Sequence, residues 1–303
     1  MHSAYSSNTG TPEAMMPALE RIHMRYASYL NQEGQPTWGL ETNGELLDLG
    51  PSGANLSPSL QSAIEEDLLS APLEWDKAPV QPVEGTTFLP LLSTPGKVIC
   101  IGVNYRSHQE ETGRDSVGKP TVFARFSDTL AAHGADLPIP AESSMYDYEG
   151  EVALVIGAPA DHVKPEEAWN YIAGYAAFND FSARDWQRHT GQWTPGKNFP
   201  LSGAFGPYFM SAEEVGDVTE LVVETRVNGE VRQRAAVADL IFDIPAIMEY
   251  VTAFTPLAPG DVIVTGTPGG VGLFMEPPTF LVPGDVVEVE VGKLGTLRNV
   301  LVA

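Results

Sequence analysis

The chain of 303 residues has a single cysteine, Cys100, so it cannot close an internal disulfide. That cysteine lies in the apolar run 98–101, where it reads as a small buried hydrophobe, and a reducing, cytoplasmic compartment is the expectation. Basic residues are scarce: 17 Lys and Arg stand against 40 Asp and Glu, a formal net charge of -23. No basic stripe remains for nucleic acid or an anionic membrane, and neither is expected as a partner. Long apolar runs are missing too, since none approaches the roughly 20 residues of a membrane helix. The opening Met1-His2-Ser3-Ala4, followed by Ser, Asn, Thr and Pro, has neither the basic start nor the apolar core of a secretory signal.

What the chain does have is 43% hydrophobic residues, enough for a large core at this length. Residues 1–18 are small, polar and proline-bearing, which predicts a loose tail. Residues 19–85 read as a small N-terminal α+β domain with a linker. Strand-like runs lie at 24–30, 37–41 and 46–49, and Ser57-Pro58 starts a helix reaching about residue 69. Prolines 72, 79 and 82 mark 71–85 as an extended connector. From 86 to 303 the pattern is mostly β, with runs at 98–101, 121–124, 149–156, 172–179, 221–227, 231–236, 262–265 and 286–291. Helices are expected at 105–111, 182–190 and 244–254. Asn228-Gly229 is a hairpin signal, and Pro259-Gly260-Asp261 and Pro283-Gly284-Asp285 repeat one turn before a strand. The fold class is a mixed, β-rich α+β roll or sandwich.

The stretch Tyr148-Glu149-Gly150-Glu151 carries the first chemical signal. Residues two apart in a strand share a face, so both carboxylates aim at one place while Gly150 leaves the other face open. Converging carboxylates repel unless a cation sits between them; the alternative is a solvated strand end. Asp180, which closes the apolar run 172–178, adds a third acid. Ser182 with Asp185 caps the next helix, so Asp180 is not needed as a cap. An all-oxygen set suits Mg2+ or Mn2+, with Ca2+ as a substitute, and disfavours zinc. Nine of the 17 basic residues fall between Lys97 and Lys197, a local compensation that also suits an anionic substrate.

Five blocks follow one another in order: Gly102-Val103-Asn104-Tyr105-Arg106-Ser107-His108, Tyr148-Glu149-Gly150-Glu151, Asn179-Asp180-Phe181-Ser182-Ala183-Arg184-Asp185-Trp186-Gln187, Gly196-Lys197-Asn198-Phe199 and Thr265-Gly266-Thr267-Pro268-Gly269-Gly270-Val271-Gly272. Over residues 97–301 this order resembles the fumarylacetoacetate hydrolase superfamily. The resemblance implies that Glu149, Glu151 and Asp180 hold Mg2+ or Mn2+, and that His108 pairs with a glutamate one helical turn on. Glu111 matches, because i to i+3 spacing shares a helix face whereas Glu110 points elsewhere. Without the resemblance, His108 reads as an ordinary surface histidine. The resemblance further implies a catalytic Lys197 and substrate contacts at Arg106, Arg125, Gln187 and Thr267, the last through its hydroxyl and backbone. The segment Ala124-Arg125-Phe126-Ser127 departs from the lysine-proline type of many relatives.

The fold implied is a β-roll or sandwich catalytic domain, forming a homodimer. The activity implied is metal-dependent hydrolysis of a carbon–carbon bond in a small acylpyruvate or other diketo acid, as in aromatic-compound catabolism. Decarboxylation of a 2-oxo acid, isomerisation and lyase steps share the same enolate, and a non-catalytic metal-stabilised binding protein is the alternative of another class. Gly102 and Gly113 bracket the His108 helix, which is expected to act as a lid.

Overall fold

The computed structural model describes residues 24–70, 78–113 and 118–303, so the expected tail at 1–18 lies outside the described residues. No helix among the described residues is long and apolar enough to cross a membrane. Among the described residues, three larger sheets and a two-stranded one, Tyr146–Asp147 with Ser182–Ala183, make up the fold. The N-terminal sheet runs Arg25–Leu30, Pro36–Thr42, Glu45–Asp48 and Val80–Pro82, antiparallel throughout. Asn43 and Gly44, with φ of 54° and 82°, turn its second strand into its third.

Two expectations need correction here. The segment read as a connector supplies the fourth strand, because a proline on a sheet edge gives up no ladder bond that another strand needs. Buried Gln81 anchors it, donating to the Leu30 carbonyl at 3.2 Å and to Thr86 Oγ1 at 2.8 Å. The first helix spans Leu60–Glu65 and is capped by Ser59, whose hydroxyl accepts from the Ser62 amide. Ser57 instead gives its carbonyl to Trp38 Nε1 at 2.9 Å. The helix stops short of residue 69 because Asp67 takes a left-handed φ of 54°.

The central sheet orders Thr121–Arg125, Val98–Gly102, Val262–Val264, Gly150–Ile156, Ile172–Asp180, Gly203–Phe205 and Leu130–Ala131. The second sheet orders Glu230–Ala236, Val222–Val227, Val286–Val291, Thr296–Val302 and Asp136–Pro138. Most pairs are antiparallel, with three parallel exceptions. Asn228-Gly229 closes its hairpin with φ of 52° and 80°. The two Pro-Gly-Asp turns use one device: Asp261 accepts from the Ala258 amide at 2.9 Å and Asp285 from the Val282 amide at 2.8 Å.

Strand alternation splits the core in two. Val152, Leu154 and Ile156 pack with Val223, Val287 and Val289 of the second sheet. Ala153, Val155, Ala176 and Phe178, on the other face, share a cluster with Tyr26, Trp38 and Leu40 of the N-terminal sheet. The face that Gly150 presents is therefore not open, as expected from sequence, but filled by the second sheet. A Cβ on Gly150 would lie 2.0 Å from Thr225 Oγ1 and 3.2 Å from Val289. Gly150→Ala should cost about 1–3 kcal/mol by overpacking. Thr225→Ala in the same background should recover most of it in urea titrations; no recovery would refute this steric account.

Candidate active site

The two longest strands of the central sheet set the register of the acidic residues. Gly150–Ile156 pairs antiparallel with Ile172–Asp180, Gly150 facing Asn179, and the Asp180 amide donates to the Glu149 carbonyl at 2.9 Å. Glu149 and Asp180 are thus cross-strand neighbours, and Glu151 joins them on the same face two residues on. Carboxylate oxygens of all three lie within 4.8 Å of one another, and all three residues are buried. Asn179 steadies the strand entrance by accepting from the Glu149 amide at 3.0 Å.

Cations surround part of this set. Lys197 Nζ donates to Glu149 at 2.6 Å and to Asp180 at 2.5 Å, and Arg125 Nε pairs with the other Asp180 oxygen. Arg184 reaches Glu149 at 2.5 Å and Asp147 at 2.8 Å. Among the described residues four buried carboxylates, Asp147, Glu149, Glu151 and Asp180, therefore meet three buried cations, Arg125, Arg184 and Lys197, one fewer than the carboxylates. Burial raises the Glu149 carboxyl, but the charges of Lys197 and Arg184 outweigh it and hold that carboxyl low. For Lys197, burial works against the charge, and Asp180 and Glu149 more than restore it.

Glu151 is the exception. It has the Gly266 amide at 2.5 Å and, among the described residues, no cation of its own. Burial, followed by the nearby Asp180 and Glu149 charges, pushes its carboxyl well above the usual range. Three convergent oxygen donors, one of them without a cation, fit a hard divalent cation, which would lift that penalty.

The second component comes from the helix Arg106–Thr112, which Gly113 ends with a left-handed φ of 64°. One turn apart on that helix, His108 Nδ1 and Glu111 Oε1 are hydrogen-bonded at 2.6 Å, while Glu110 is exposed. The helix is docked shut: Glu111 Oε2 accepts from the Gly270 amide at 2.8 Å, and Ser107 Oγ from the Gly269 amide at 3.0 Å. His108 lines a cleft of about 130 Å³ together with Glu149, Glu151, Gln187, Lys197 and Thr267.

Not every expected substrate contact reaches the cleft. Arg125 stands behind Asp180, its side chain fully buried, with its other nitrogens on Ser202 Oγ at 2.9 Å and the Phe181 carbonyl at 2.7 Å. It positions Asp180 rather than facing substrate. Arg106 is exposed and outside the cleft lining. Thr267 lines the cleft, but its hydroxyl donates to the Gly150 carbonyl at 3.0 Å and accepts from Gln233 at 2.7 Å. That leaves the hydroxyl proton committed to the turn. The expected helix at 182–190 shrinks to Arg184–Gln187, because Ser182–Ala183 pairs as a strand with Tyr146–Asp147. Asp185 accepts from Ser143 Oγ at 2.6 Å and makes no box with Ser182.

Besides Arg184, three residues outside the expected set organise the site. Asp147 accepts from Arg184 and from the Gly272 and Leu273 amides. Asn104 joins the Thr265 carbonyl to Phe242. Gln233 ties the Gly150 amide to Thr267 and to the Pro268 carbonyl. Arg184 Nη2 is buried at the cleft without a hydrogen-bond partner among the described residues.

A β-rich α+β fold that places a buried three-carboxylate set, able to hold a metal ion, beside a His–Glu pair on a small polar cleft defines a class of small-molecule enzymes. The model of the fumarylacetoacetate (FAA) hydrolase C-terminal region matches residues 97–302, and the chain belongs to this family. It is 36% identical, over 275 residues covering 88% of each chain, to the Homo sapiens protein named oxaloacetate tautomerase FAHD2A, mitochondrial. The Rattus norvegicus protein named oxaloacetate tautomerase Fahd2a, mitochondrial, is 35% identical over the same shares. Among solved structures it resembles a fumarylacetoacetate hydrolase from Exiguobacterium antarcticum, with a TM-score of 0.81 at 32% identity, covering 92% of this chain and 99% of that one. A Mycobacterium smegmatis structure titled 5-carboxymethyl-2-hydroxymuconate delta-isomerase gives a TM-score of 0.74 at 29% identity over the same shares.

Proposed function

We propose that the chain is a divalent-metal-dependent enzyme, using Mg2+ or Mn2+, that interconverts the keto and enol forms of a small 2-oxo dicarboxylic acid of the oxaloacetate type. The observation that carries this reading is one hydrogen-bonded acid–base couple, His108 with Glu111, sharing a small cleft with the three-carboxylate set. Tautomerisation asks only that a proton leave carbon and another reach oxygen, which one imidazole can do in turn. The likeness to proteins named oxaloacetate tautomerase over 88% of the chain supports the same choice.

Glu149, Glu151 and Asp180 would hold the ion, and when bound it supplies Lewis-acid stabilisation of negative charge on a substrate oxygen. Glu111 fixes Nδ1 of His108 and leaves Nε2 for proton transfer at the substrate carbon. Lys197 and the unpartnered Nη2 of Arg184 supply fixed positive charge and N–H donors for the substrate's carboxylate and oxo groups. Trp193 and Phe274 wall the cleft on its apolar side.

Carbon–carbon hydrolysis of an acylpyruvate is the second reading, favoured by the likeness to the Exiguobacterium antarcticum fumarylacetoacetate hydrolase. There His108 would activate a water instead of a substrate C–H. One experiment separates the readings: purified protein with Mn2+ is given enol-oxaloacetate, an acylpyruvate and fumarylpyruvate, with products identified by mass. Faster loss of the enol absorbance without a mass change, abolished by chelation, is the expected outcome. Cleavage products from the acylpyruvate, with no acceleration of enol loss, would replace the tautomerase reading by the hydrolase one. Loss of carbon dioxide from oxaloacetate would replace it by decarboxylation.

A further inference from the structure

We infer that Arg188 receives a second, distal carboxylate of the substrate and so selects dicarboxylic over monocarboxylic 2-oxo acids. This rests on the reading that the cleft binds a 2-oxo acid. Three cations line the cleft: Arg184, Arg188 and Lys197. Two of them already hold carboxylates of the protein, Lys197 between Glu149 and Asp180, and Arg184 between Glu149 and Asp147, which fixes them at the floor, where the 2-oxo end of the substrate lies. Arg188 is different. Its amide donates to the Asp185 carbonyl at 3.2 Å, closing the turn Arg184–Gln187, but its guanidinium has no ion pair or hydrogen bond among the described residues. In a chain with 40 acidic against 17 basic residues, a cation left without a carboxylate at a cleft is out of keeping with its surroundings.

Position gives the charge a use. Lys197, Arg184, Glu149 and Glu151 are buried and form the floor, whereas Arg188 is exposed and stands at the rim. The half-buried residues of the lining are neutral or apolar, among them Val103, Thr112, Trp193, Leu273 and Phe274. A substrate whose 2-oxo carboxylate lies on the floor therefore extends toward a rim whose fixed positive charge comes from Arg188. A guanidinium there makes a bidentate, charge-assisted contact with a carboxylate and none with a methyl group. The competing reading is a solvated surface arginine with no ligand, and the two differ in what its removal does to particular acids.

The test uses Mn2+-loaded protein with Arg188→Gln and Arg188→Lys. Enolisation of oxaloacetate and of 2-oxobutanoate, which lacks the far carboxylate, is followed by deuterium exchange at carbon 3. Binding of oxalate, which is too short to leave the floor, is measured by calorimetry. Arg188→Gln should raise KM for oxaloacetate about 10- to 100-fold, with the loss in KM rather than kcat. The KM for 2-oxobutanoate and the Kd of oxalate should stay within about twofold, and Arg188→Lys should recover part of the oxaloacetate affinity. An unchanged oxaloacetate KM overturns the inference, and so does an equal weakening of oxalate, which would mark a general effect of charge. Should the wild type enolise neither acid, the tautomerase reading falls. Calorimetric binding of oxaloacetate, weakened or not by Arg188→Gln, then decides the role of Arg188 by itself.

Discussion

Replacing Asp180 with alanine is expected to abolish metal-dependent turnover and to cost the fold about 3–5 kcal/mol. Both effects trace to one fully buried side chain. Its Oδ1 holds Arg125 and its Oδ2 holds Lys197 at 2.5 Å, and both cations are themselves buried. Alanine leaves Arg125, among the described residues, with Ser202 Oγ and the Phe181 carbonyl, and Lys197 with Glu149 as its one carboxylate beside the Phe123 ring. Asn, which keeps the shape and one acceptor, should lose metal binding with a smaller cost to the fold.

Glu151→Gln makes the opposite case. Among the described residues Glu151 has no cationic partner and sits against two other carboxylates, so a neutral amide should leave metal-free stability unchanged or higher. It should nevertheless remove the added stability that Mn2+ confers on the wild type. Urea titrations with and without a chelator, together with calorimetric metal titration, report both quantities. Full metal affinity in Asp180→Ala would refute the three-ligand set. A metal-free Glu151→Gln as unstable as Asp180→Ala would refute the distinction between a paired and an unpaired carboxylate.

That distinction was beyond the reach of the sequence, although the three acidic residues themselves were not. Glu149 and Glu151 share a face by strand periodicity alone, and the apolar run before Asp180 places it at a strand end. What brings Asp180 opposite Glu149 is the pairing register, which no local pattern carries. The same gap explains Arg125. The resemblance implied a substrate contact, but only the tertiary contacts of Arg125 with Asp180, Ser202 and the Phe181 carbonyl show that its charge is spent inside. Gln233 lies on a hairpin strand of the second sheet and gave no signal, because its partners Gly150, Thr267 and Pro268 come from two distant segments. Ser182 looked like a helix cap until its strand partners, Tyr146–Asp147, were in place. The helix of His108 fared better, shifting by one residue at each end, because i to i+3 spacing and a terminal Gly113 are local facts.

His108→Ala should lower turnover by about 10²- to 10⁴-fold while leaving metal affinity nearly unchanged. The structure gives this expectation its shape. His108 touches Glu111 through Nδ1 and faces the cleft, but none of the three carboxylate ligands is hydrogen-bonded to it among the described residues. Glu111 does two jobs with its two oxygens, one toward His108 and the other accepting from the Gly270 amide. Glu111→Gln keeps one acceptor oxygen and should give a smaller loss than His108→Ala. Glu111→Ala removes the latch as well, and should speed amide exchange in Arg106–Thr112 where Glu111→Gln does so less. Exposed Glu110 gives an internal control, since Glu110→Gln touches neither the imidazole nor the latch and should be nearly silent. Equal losses in Glu110→Gln and Glu111→Gln would mean that general helix charge, not the hydrogen-bonded pair, sets the rate. Normal turnover in His108→Ala would leave Lys197, Arg184 and the metal centre to perform the reaction. Proton transfer at carbon would then have no base in this cleft, and decarboxylation, where charge stabilisation suffices without one, would become the reaction to assign.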